Sequence, residues 1–178
     1  MNSTMYKQIV GNLMYLAAIR PDIMYAVTLI SKYMENLTTM HMLATKGIVR
    51  YLQGIKDFGL FYKKNEKSYL IGFIDSDYAG DLDRRRSTSG YVFMLGTTPV
   101  SWSSKKQSIA TLSIIEAEFV ATTACAYQAI WLRRILKELR CKPRRATTIF
   151  CDNNSATSCP RTRCYTEEVS TLMSSTIF

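Results

Sequence analysis

Apolar residues recur at intervals of three and four positions along the first part of the chain, before Phe58. In YKQIVGNLMYLAAI this spacing places Ile9, Leu13 and Leu16 on one face of a helix. The segments DIMYAVTLISKYMENL and MHMLATKGIVRYLQGI repeat the same spacing. The pattern therefore predicts three packed helices in this region.

Two polar residues mark the beginnings of the second and third predicted helices. Asp22 follows Pro21, and we expect its carboxylate to cap the second helix. His41, the single histidine of the chain, lies near the start of the third helix. We expect it to have a surface or capping role rather than a catalytic one.

From Phe58 onward the hydrophobic pattern changes to short runs rich in aromatic and β-branched residues, which predict strands. These runs are FGLFYKK, SYLIGFID, SGYVFMLG and PVSWSSKK, and they are expected to pair antiparallel. EAEFVATTACAYQAIWLRRILKEL predicts the longest helix, which can serve as the crossover to a parallel strand at ATTIFCD. From SYLIGFID the order is β-β-β-α-β, which predicts an α/β fold with a mixed sheet.

Three carboxylates stand at the ends of these predicted elements. Asp75 ends a strand in GFIDSDYAGD, Glu118 lies in the first part of the long helix, and Asp152 ends the last strand. Acids gathered at one edge of a sheet repel one another unless a cation neutralises them, and carboxylate oxygens favour Mg²⁺ or Mn²⁺. The pattern suggests phosphodiester hydrolysis. The alternative from spacing alone is that the acids are solvated caps.

Composition and charge narrow the possible partners. With 178 residues, 47% of them hydrophobic, the chain can bury a core of one domain plus a smaller unit. Its net charge of +9 favours a polyanion such as nucleic acid, or else serves solubility. The five cysteines show no CxxC pair, which indicates a reduced, intracellular compartment. No signal peptide and no apolar run of roughly 20 residues is found, so we expect a soluble protein with no membrane partner.

Several long motifs together identify a family resemblance. GFIDSDYAGDLDRRRSTSGYVFMLGTTPVSWSSKKQSIATLSIIEAEFVA, followed by IFCDNNSAT, resembles the ribonuclease H domain of copia-type LTR retrotransposon Pol polyproteins. YKQIVGNLMYLAAIRPDIMYAV and IVRYLQGIKDFGLFY resemble the connection segment that follows the reverse transcriptase. The match runs from about Tyr6 to Thr157. It implies a helical connection segment at residues 1–60, a partial ribonuclease H-like domain at 61–157 and an aberrant tail at 158–178.

The resemblance also implies which acids bind metal. The first acid of the DSD element, the second Glu of EAE and the Asp of CDN carry over to Asp75, Glu118 and Asp152 as ligands of Mg²⁺ or Mn²⁺. Asp77 and Glu116 are their neighbours in these motifs. For these two residues we expect a solvated or structural role.

The implied substrate is the RNA strand of an RNA/DNA hybrid, and the implied partner is the reverse transcriptase region of the same polyprotein in the cytoplasm. A hybrid is recognised through backbone shape and 2′-hydroxyl groups rather than base sequence, which suits a basic surface. Each basic side chain alone is commonly a solvated charge. The candidate phosphate contacts are Arg84, Arg85, Arg86, Lys105 and Lys106.

The tail departs from the family pattern. The family continues after CDNNSAT to a fourth acid inside an HID element, whereas this chain continues SCPRTRCYTEEVSTLMSSTIF. With one permitted choice of codons, residues 158–178 read from the third base give LSKNPVLHRRSKHIDVKYYI, which is similar to the family continuation. We therefore expect a frameshift near Thr157 or a truncation, with the C-terminal part of the fold and the fourth ligand missing. We accordingly expect little or no hydrolysis.

Two classes of function stay open from the sequence. The first is a ribonuclease H that cuts RNA in hybrids, and the second is a catalytically dead retroelement remnant with at most weak nucleic-acid binding. A third class, an integrase core, has a similar fold and acidic triad. Its motifs are not the ones present in this chain.

Overall fold

The computed structural model describes residues 3–63, 69–81, 83–141 and 145–151. The chain divides after Leu60 into two compact units, which we call the helical unit and the sheet unit. The predicted tail at 158–178, together with its proposed frameshift, lies outside the described residues.

The helical unit contains the three helices that the apolar spacing predicts. They are α1 (Ser3–Ala17), α2 (Pro21–Ser31) and α3 (Thr39–Gly54). Leu13 of the predicted apolar face is buried, whereas Ile9 and Leu16 are half-buried at the margin of the core. The buried apolar residues of its core come from α1 and α2, and they are Tyr6, Val10, Leu13, Ala17, Ile23, Val27 and Ile30.

The second helix begins differently from the prediction. Arg20, not Asp22, occupies the N-cap position, and Pro21 is the first helical residue, so Asp22 already lies inside the first turn. Asp22 instead accepts two hydrogen bonds from the Arg20 guanidinium, at 2.9 and 2.6 Å. These bonds lower the pKa of the Asp22 carboxyl. Asp22 therefore stabilises this helix start by an ion pair and by its charge near the positive end of the helix dipole.

His41 has the capping role that we expected. Its Nδ1 atom accepts a hydrogen bond from the backbone N–H of Thr38, the N-cap residue of α3, at 3.2 Å. Its ring also stacks on Tyr33 with 4.0 Å between the ring centroids. The single histidine of the chain is thus a structural residue of the helical unit.

The sheet unit confirms the predicted α/β class and element order. β1 (Leu70–Ser76), β2 (Thr88–Leu95) and β3 (Thr98–Lys106) are followed by α4 (Ile114–Glu138) and β4 (Thr148–Cys151). The spatial order is β3-β2-β1-β4, with antiparallel pairs except for the parallel pair of β1 and β4. This mixed sheet with one long helix is consistent with a ribonuclease H-like fold.

The predicted strand at FGLFYKK is wrong for the part that the structure describes, because residues 58–63 form no strand. The Phe61 carbonyl accepts a hydrogen bond from the Thr98 hydroxyl at 3.0 Å, which is a side-chain contact with β3 and not strand pairing. The side chains of Phe61 and Tyr62 are 82% and 60% exposed. The aromatic pattern here has no buried face, which is what stabilises a strand of this composition.

One face of the sheet is covered by α4. Leu70, Ile74 and Phe93 of the sheet form the core with a row of small and apolar helix residues, namely Ala121, Cys125, Ala129 and Leu132. On the opposite face Phe73 stacks on Phe150 across the parallel pair, with centroids 5.5 Å apart. Among the described residues, no helix combines the length and apolar character required to cross a bilayer.

Candidate metal centre

Asp75 lies near the C-terminal end of β1, which pairs with β2 on one side and with β4 on the other. It is opposite Gly90 of β2, and its side chain is exposed. The preceding residue, Ile74, is buried under α4 and lies opposite Cys151 in the parallel pairing with β4. Because side chains alternate along a strand, Asp75 shares the face of Phe73.

Glu118 is brought to the same end of the sheet by α4. It is the fifth residue of the helix, and together with Ala117 and Ala121 it belongs to the buried side. Its side chain is only 3% exposed. One carboxylate oxygen accepts a hydrogen bond from the Cys151 thiol, with 3.4 Å between sulfur and oxygen. A buried carboxylate thus contacts the strand that pairs directly with the Asp75 strand.

Asp152, the third predicted ligand, lies outside the described residues. Cys151, the residue immediately before it, is the last residue of β4. Within the described part of the chain, no group of three or more His, Cys, Asp or Glu side chains is arranged to hold a metal ion. The three-carboxylate site therefore stays a prediction.

The start of α4 is fixed by its own capping residues. The Ser113 hydroxyl accepts a hydrogen bond from the Glu116 backbone N–H at 3.1 Å. The Glu116 carboxylate in turn accepts from the Leu112 backbone N–H at 2.7 Å. Glu116 therefore has the structural role expected for it, and these caps determine where the helix begins and which side of it Glu118 occupies.

Asp77, the other acid expected to be structural, connects the ends of β1 and β2. Its Oδ1 atom accepts a hydrogen bond from the Thr88 backbone N–H at 2.6 Å. The Asp77 backbone N–H donates to the Thr88 carbonyl at 3.1 Å. This pair of bonds closes the loop that follows Asp75 and confirms the structural role.

Sequence reasoning missed Gln107, which follows β3 and is only 6% exposed. Its side-chain nitrogen donates to the Ser89 hydroxyl at 2.8 Å and to the Ala117 carbonyl at 2.9 Å, and lies 3.5 Å from the Ser76 hydroxyl. These acceptors belong to β2, α4 and β1. The sequence held little signal for this contact, because a glutamine after two lysines is typical of a solvated loop.

Ser87 is a second buried polar residue in the same region, with no exposed surface. Its hydroxyl accepts a hydrogen bond from the Ala79 backbone N–H at 3.1 Å and lies 3.3 Å from the Thr111 hydroxyl. Its carbonyl accepts from the Gln107 backbone N–H at 2.8 Å. We call Ser76, Ser87, Ser89, Gln107 and Thr111 the polar cluster.

The predicted phosphate contacts have different environments. Arg84, Arg85 and Lys105 are exposed, and Arg86 is half-buried. Lys106 forms an ion pair with Asp81, whose side chain is 7% exposed. The charge of Lys106 is therefore partly neutralised by the protein itself, whereas the three exposed residues present theirs to solvent.

The donor atoms at this end of the sheet fit a hard cation. Asp75 and Glu118 offer carboxylate oxygens, which are the ligands that Mg²⁺ and Mn²⁺ prefer. Cys151 also lies against Glu118, but a thiol is a soft donor that neither ion selects. The chemistry of the described residues is compatible with Mg²⁺ held by carboxylates.

Comparison with known proteins points to mobile genetic elements. No family model matches the chain. It is 44% identical over 154 residues to the retrovirus-related Pol polyprotein from transposon RE1 of Arabidopsis thaliana, and 40% identical over 152 residues to that from transposon TNT 1-94 of Nicotiana tabacum. These alignments cover 86% and 85% of this chain.

A shorter relative has nearly the same extent as the aligned region. Secreted RxLR effector protein 161 of Plasmopara viticola is 40% identical over 133 residues, which are 74% of this chain and 94% of that protein. By contrast, the chain spans about a tenth of the length of the Pol polyproteins that it matches. The matches to the Pol polyproteins nevertheless span most of this chain. The chain belongs to the family of retrovirus-related Pol polyproteins of copia-type transposons.

Proposed function

We propose that this protein is a metal-dependent ribonuclease of impaired activity that acts on the RNA strand of RNA/DNA hybrids. The observation that carries the proposal is Glu118, a carboxylate buried at the start of α4 and in contact with Cys151 of β4. Glu118 is the fifth residue of α4, and Cys151 is the residue immediately before Asp152. A carboxylate oxygen placed beside the strand that precedes Asp152 supports a role in binding a hard cation.

Asp75, Glu118 and Asp152 are the residues that would hold Mg²⁺ or Mn²⁺. When bound, the metal supplies an activated water and neutralises negative charge on the phosphodiester. Glu118 is held in one orientation by its helix and by the Cys151 thiol, so little reorganisation is required of it. The exposed Asp75 carboxylate is open to solvent and hence to a nucleic-acid backbone.

The exposed cations Arg84, Arg85 and Lys105 support a polyanionic substrate. They belong to the loop between β1 and β2 and to β3, which pairs with β2. Contacts of this kind neutralise phosphates and do not read base sequence, as recognition of a hybrid requires. The proposed partner is the reverse transcriptase region of a Pol polyprotein, with which the domain acts in the cytoplasm.

A cleavage assay tests the proposal. Purified protein is mixed with a labelled RNA/DNA hybrid, in Mg²⁺ and then in Mn²⁺, and compared with Asp75→Asn. We expect whatever cleavage the parent protein shows to fall by roughly 100-fold or more in this variant, because a carboxylate that would hold the metal ion is removed. Asp57→Asn is the matched control, since Asp57 is an exposed aspartate of the helical unit, and it should cut like the parent protein.

The assay also separates the enzyme from the catalytically dead remnant. A folded parent protein that binds the hybrid without cutting it in either metal would overturn the proposed activity and support the remnant. The sequence also predicts that hydrolysis is impaired. Comparing the cleavage rate of the parent protein with that of an intact ribonuclease H tests this prediction. Cleavage that persists in Asp75→Asn would show a contaminating nuclease or a different site.

A further inference from the structure

We propose that Gln107 is a positioning residue that fixes the Glu118 carboxylate relative to the end of β1. The inference rests on the proposed metal-dependent function. It extends that function to a side chain that contacts neither the metal nor the substrate. Its basis is the set of hydrogen bonds that the buried Gln107 amide makes to three separate elements.

The three acceptors of Gln107 are placed next to the candidate ligands. Ser76 follows Asp75 in β1, and Ala117 precedes Glu118 in α4. Ser89, the third acceptor, lies directly opposite Ser76 in the β1–β2 pairing. One amide group therefore connects the residues adjacent to both described carboxylates.

The orientation of this amide is determined by its surroundings. The Ala117 carbonyl, 2.9 Å away, can only accept a hydrogen bond, so the nitrogen of Gln107 must face it. Its two hydrogens match the two short contacts, to Ala117 and to Ser89 at 2.8 Å. The Ser76 contact, at 3.5 Å, is at the limit of a hydrogen bond.

The backbone of Gln107 is anchored independently of its side chain. Its N–H donates to the Ser87 carbonyl at 2.8 Å, which continues the pairing of β3 with β2 beyond Lys106. The side chain therefore projects from a fixed point of the sheet to the first turns of α4. Removing the amide leaves the strand pairing in place but releases the helix start.

This arrangement explains how a residue without contact to the reacting atoms affects the site. Groups that orient metal ligands, without binding the metal, commonly change metal affinity when they are replaced. A shift of Ala117 along or around the helix axis moves Glu118 with it, because the two are consecutive helical residues. Gln107 thus limits the positions that the Glu118 carboxylate can occupy.

The test compares Gln107→Met with Gln128→Met in the full chain. Gln128 lies in α4 itself, ten positions beyond Glu118, is half-buried and donates a hydrogen bond to Ser101 of β3 at 3.1 Å. Both changes remove a side-chain hydrogen bond between helix and sheet at nearly constant volume. We expect amide hydrogen exchange in residues 116–121 to quicken about tenfold in Gln107→Met only.

A second arm measures Mn²⁺ binding by electron paramagnetic resonance, with Glu118→Gln as the reference for a lost ligand. We expect Gln107→Met to weaken Mn²⁺ binding by about 10-fold or more, and Gln128→Met to leave it unchanged. If the parent protein and Glu118→Gln bind Mn²⁺ equally, the proposed metal function fails. The exchange measurement still decides whether Gln107 positions the helix.

The positioning role is overturned if the two methionine variants show the same exchange in residues 116–121. It is also overturned if Gln107→Met exchanges faster throughout the sheet unit, since that pattern indicates loss of global stability. Urea unfolding of both variants distinguishes this case. Local exchange together with weaker Mn²⁺ binding is the result that only a positioning residue gives.

Discussion

The helical unit and the sheet unit differ in how they use polar side chains. In the helical unit the side-chain contacts at helix starts join near neighbours, such as Arg20 with Asp22 and Thr38 with His41. A buried bond from the Tyr6 hydroxyl to the Ile30 carbonyl also joins α1 to α2. In the sheet unit Gln107 reaches Ser76, 31 positions away. Short-range contacts stabilise individual helices, whereas long-range polar contacts fix the relative positions of strands and helix.

The difference shows where the chain requires a defined geometry. Apolar cores tolerate changes of shape as long as volume is conserved, but a buried hydrogen-bond network requires each partner in place. The polar cluster lies at the end of the sheet that carries Asp75 and Glu118, and not under the opposite end. The sheet unit should therefore tolerate substitutions less well than the helical unit.

The largest effect is expected for Phe93→Ala. Phe93 has no exposed surface and contacts the sheet core under α4, so its truncation should destabilise the sheet unit by about 3–5 kcal/mol. Phe61→Ala, at a side chain that is 82% exposed, is the matched control and should change stability by less than about 0.5 kcal/mol. Urea unfolding with hydrogen exchange resolved by segment measures both. If Phe93→Ala reduced protection from hydrogen exchange in α1 as much as in the sheet unit, that result would contradict the separation of the units.

Replacing two glycines by alanine should change stability by intermediate amounts, with opposite signs at the two positions. A Cβ atom at Gly72 of β1 would lie 2.8 Å from Phe93 and 3.3 Å from Ile149, so Gly72→Ala should cost about 1–3 kcal/mol. A Cβ atom at Gly11 in α1 meets nothing within 4 Å. Gly11→Ala should therefore stabilise the helical unit by about 0.5–1 kcal/mol. Thermal unfolding of the two variants checks the signs, and a stabilised Gly72→Ala would refute the close packing.

The smallest effect is expected at the Arg20–Asp22 pair. The Arg20 guanidinium lowers the pKa of Asp22 below its ordinary 3.8, so the pair stabilises the folded state above that pH. This contribution is lost as the pH falls through the lowered pKa. Asp22→Asn should cost about 0.2–1 kcal/mol at pH 7 and nothing once Asp22 is protonated. Urea unfolding from pH 7 to pH 2 measures it, with Asp57→Asn as control. A difference that persists at pH 2 would exclude the ion pair as its cause.

The sequence predicts regular elements better than it predicts contacts between them. The spacing of Leu13 within α1 and the apolar runs of β1 and β2 were sufficient to predict these elements, because the period of the apolar residues shows which face is buried. The strand predicted at Phe61 failed since aromatic residues favour strands only when a partner buries them. Proximity of Asp75 and Glu118 to one sheet end follows from the element order.

The polar cluster was beyond sequence reasoning for a different reason. Gln107 and Ser87 resemble loop residues in the sequence. Their burial depends on the packing of the ends of three strands against the start of α4, which the sequence does not report. The predicted cap at Asp22 was wrong by two positions, because Pro21 takes the first helical position and Arg20 is the N-cap residue. Errors of this size matter little for a fold but change which side chain satisfies a helix start.

Oxidation of Cys151 would change the neighbourhood of Glu118. Cys151 is a half-buried thiol that donates a hydrogen bond to the Glu118 carboxylate. Oxidation to a sulfinate would replace this donor with a second anion against the same oxygen, and the two charges would repel. Oxidation of the Cys151 sulfur, one residue before Asp152, would therefore disturb the Glu118 carboxylate as a mutation could, although the sequence is unchanged.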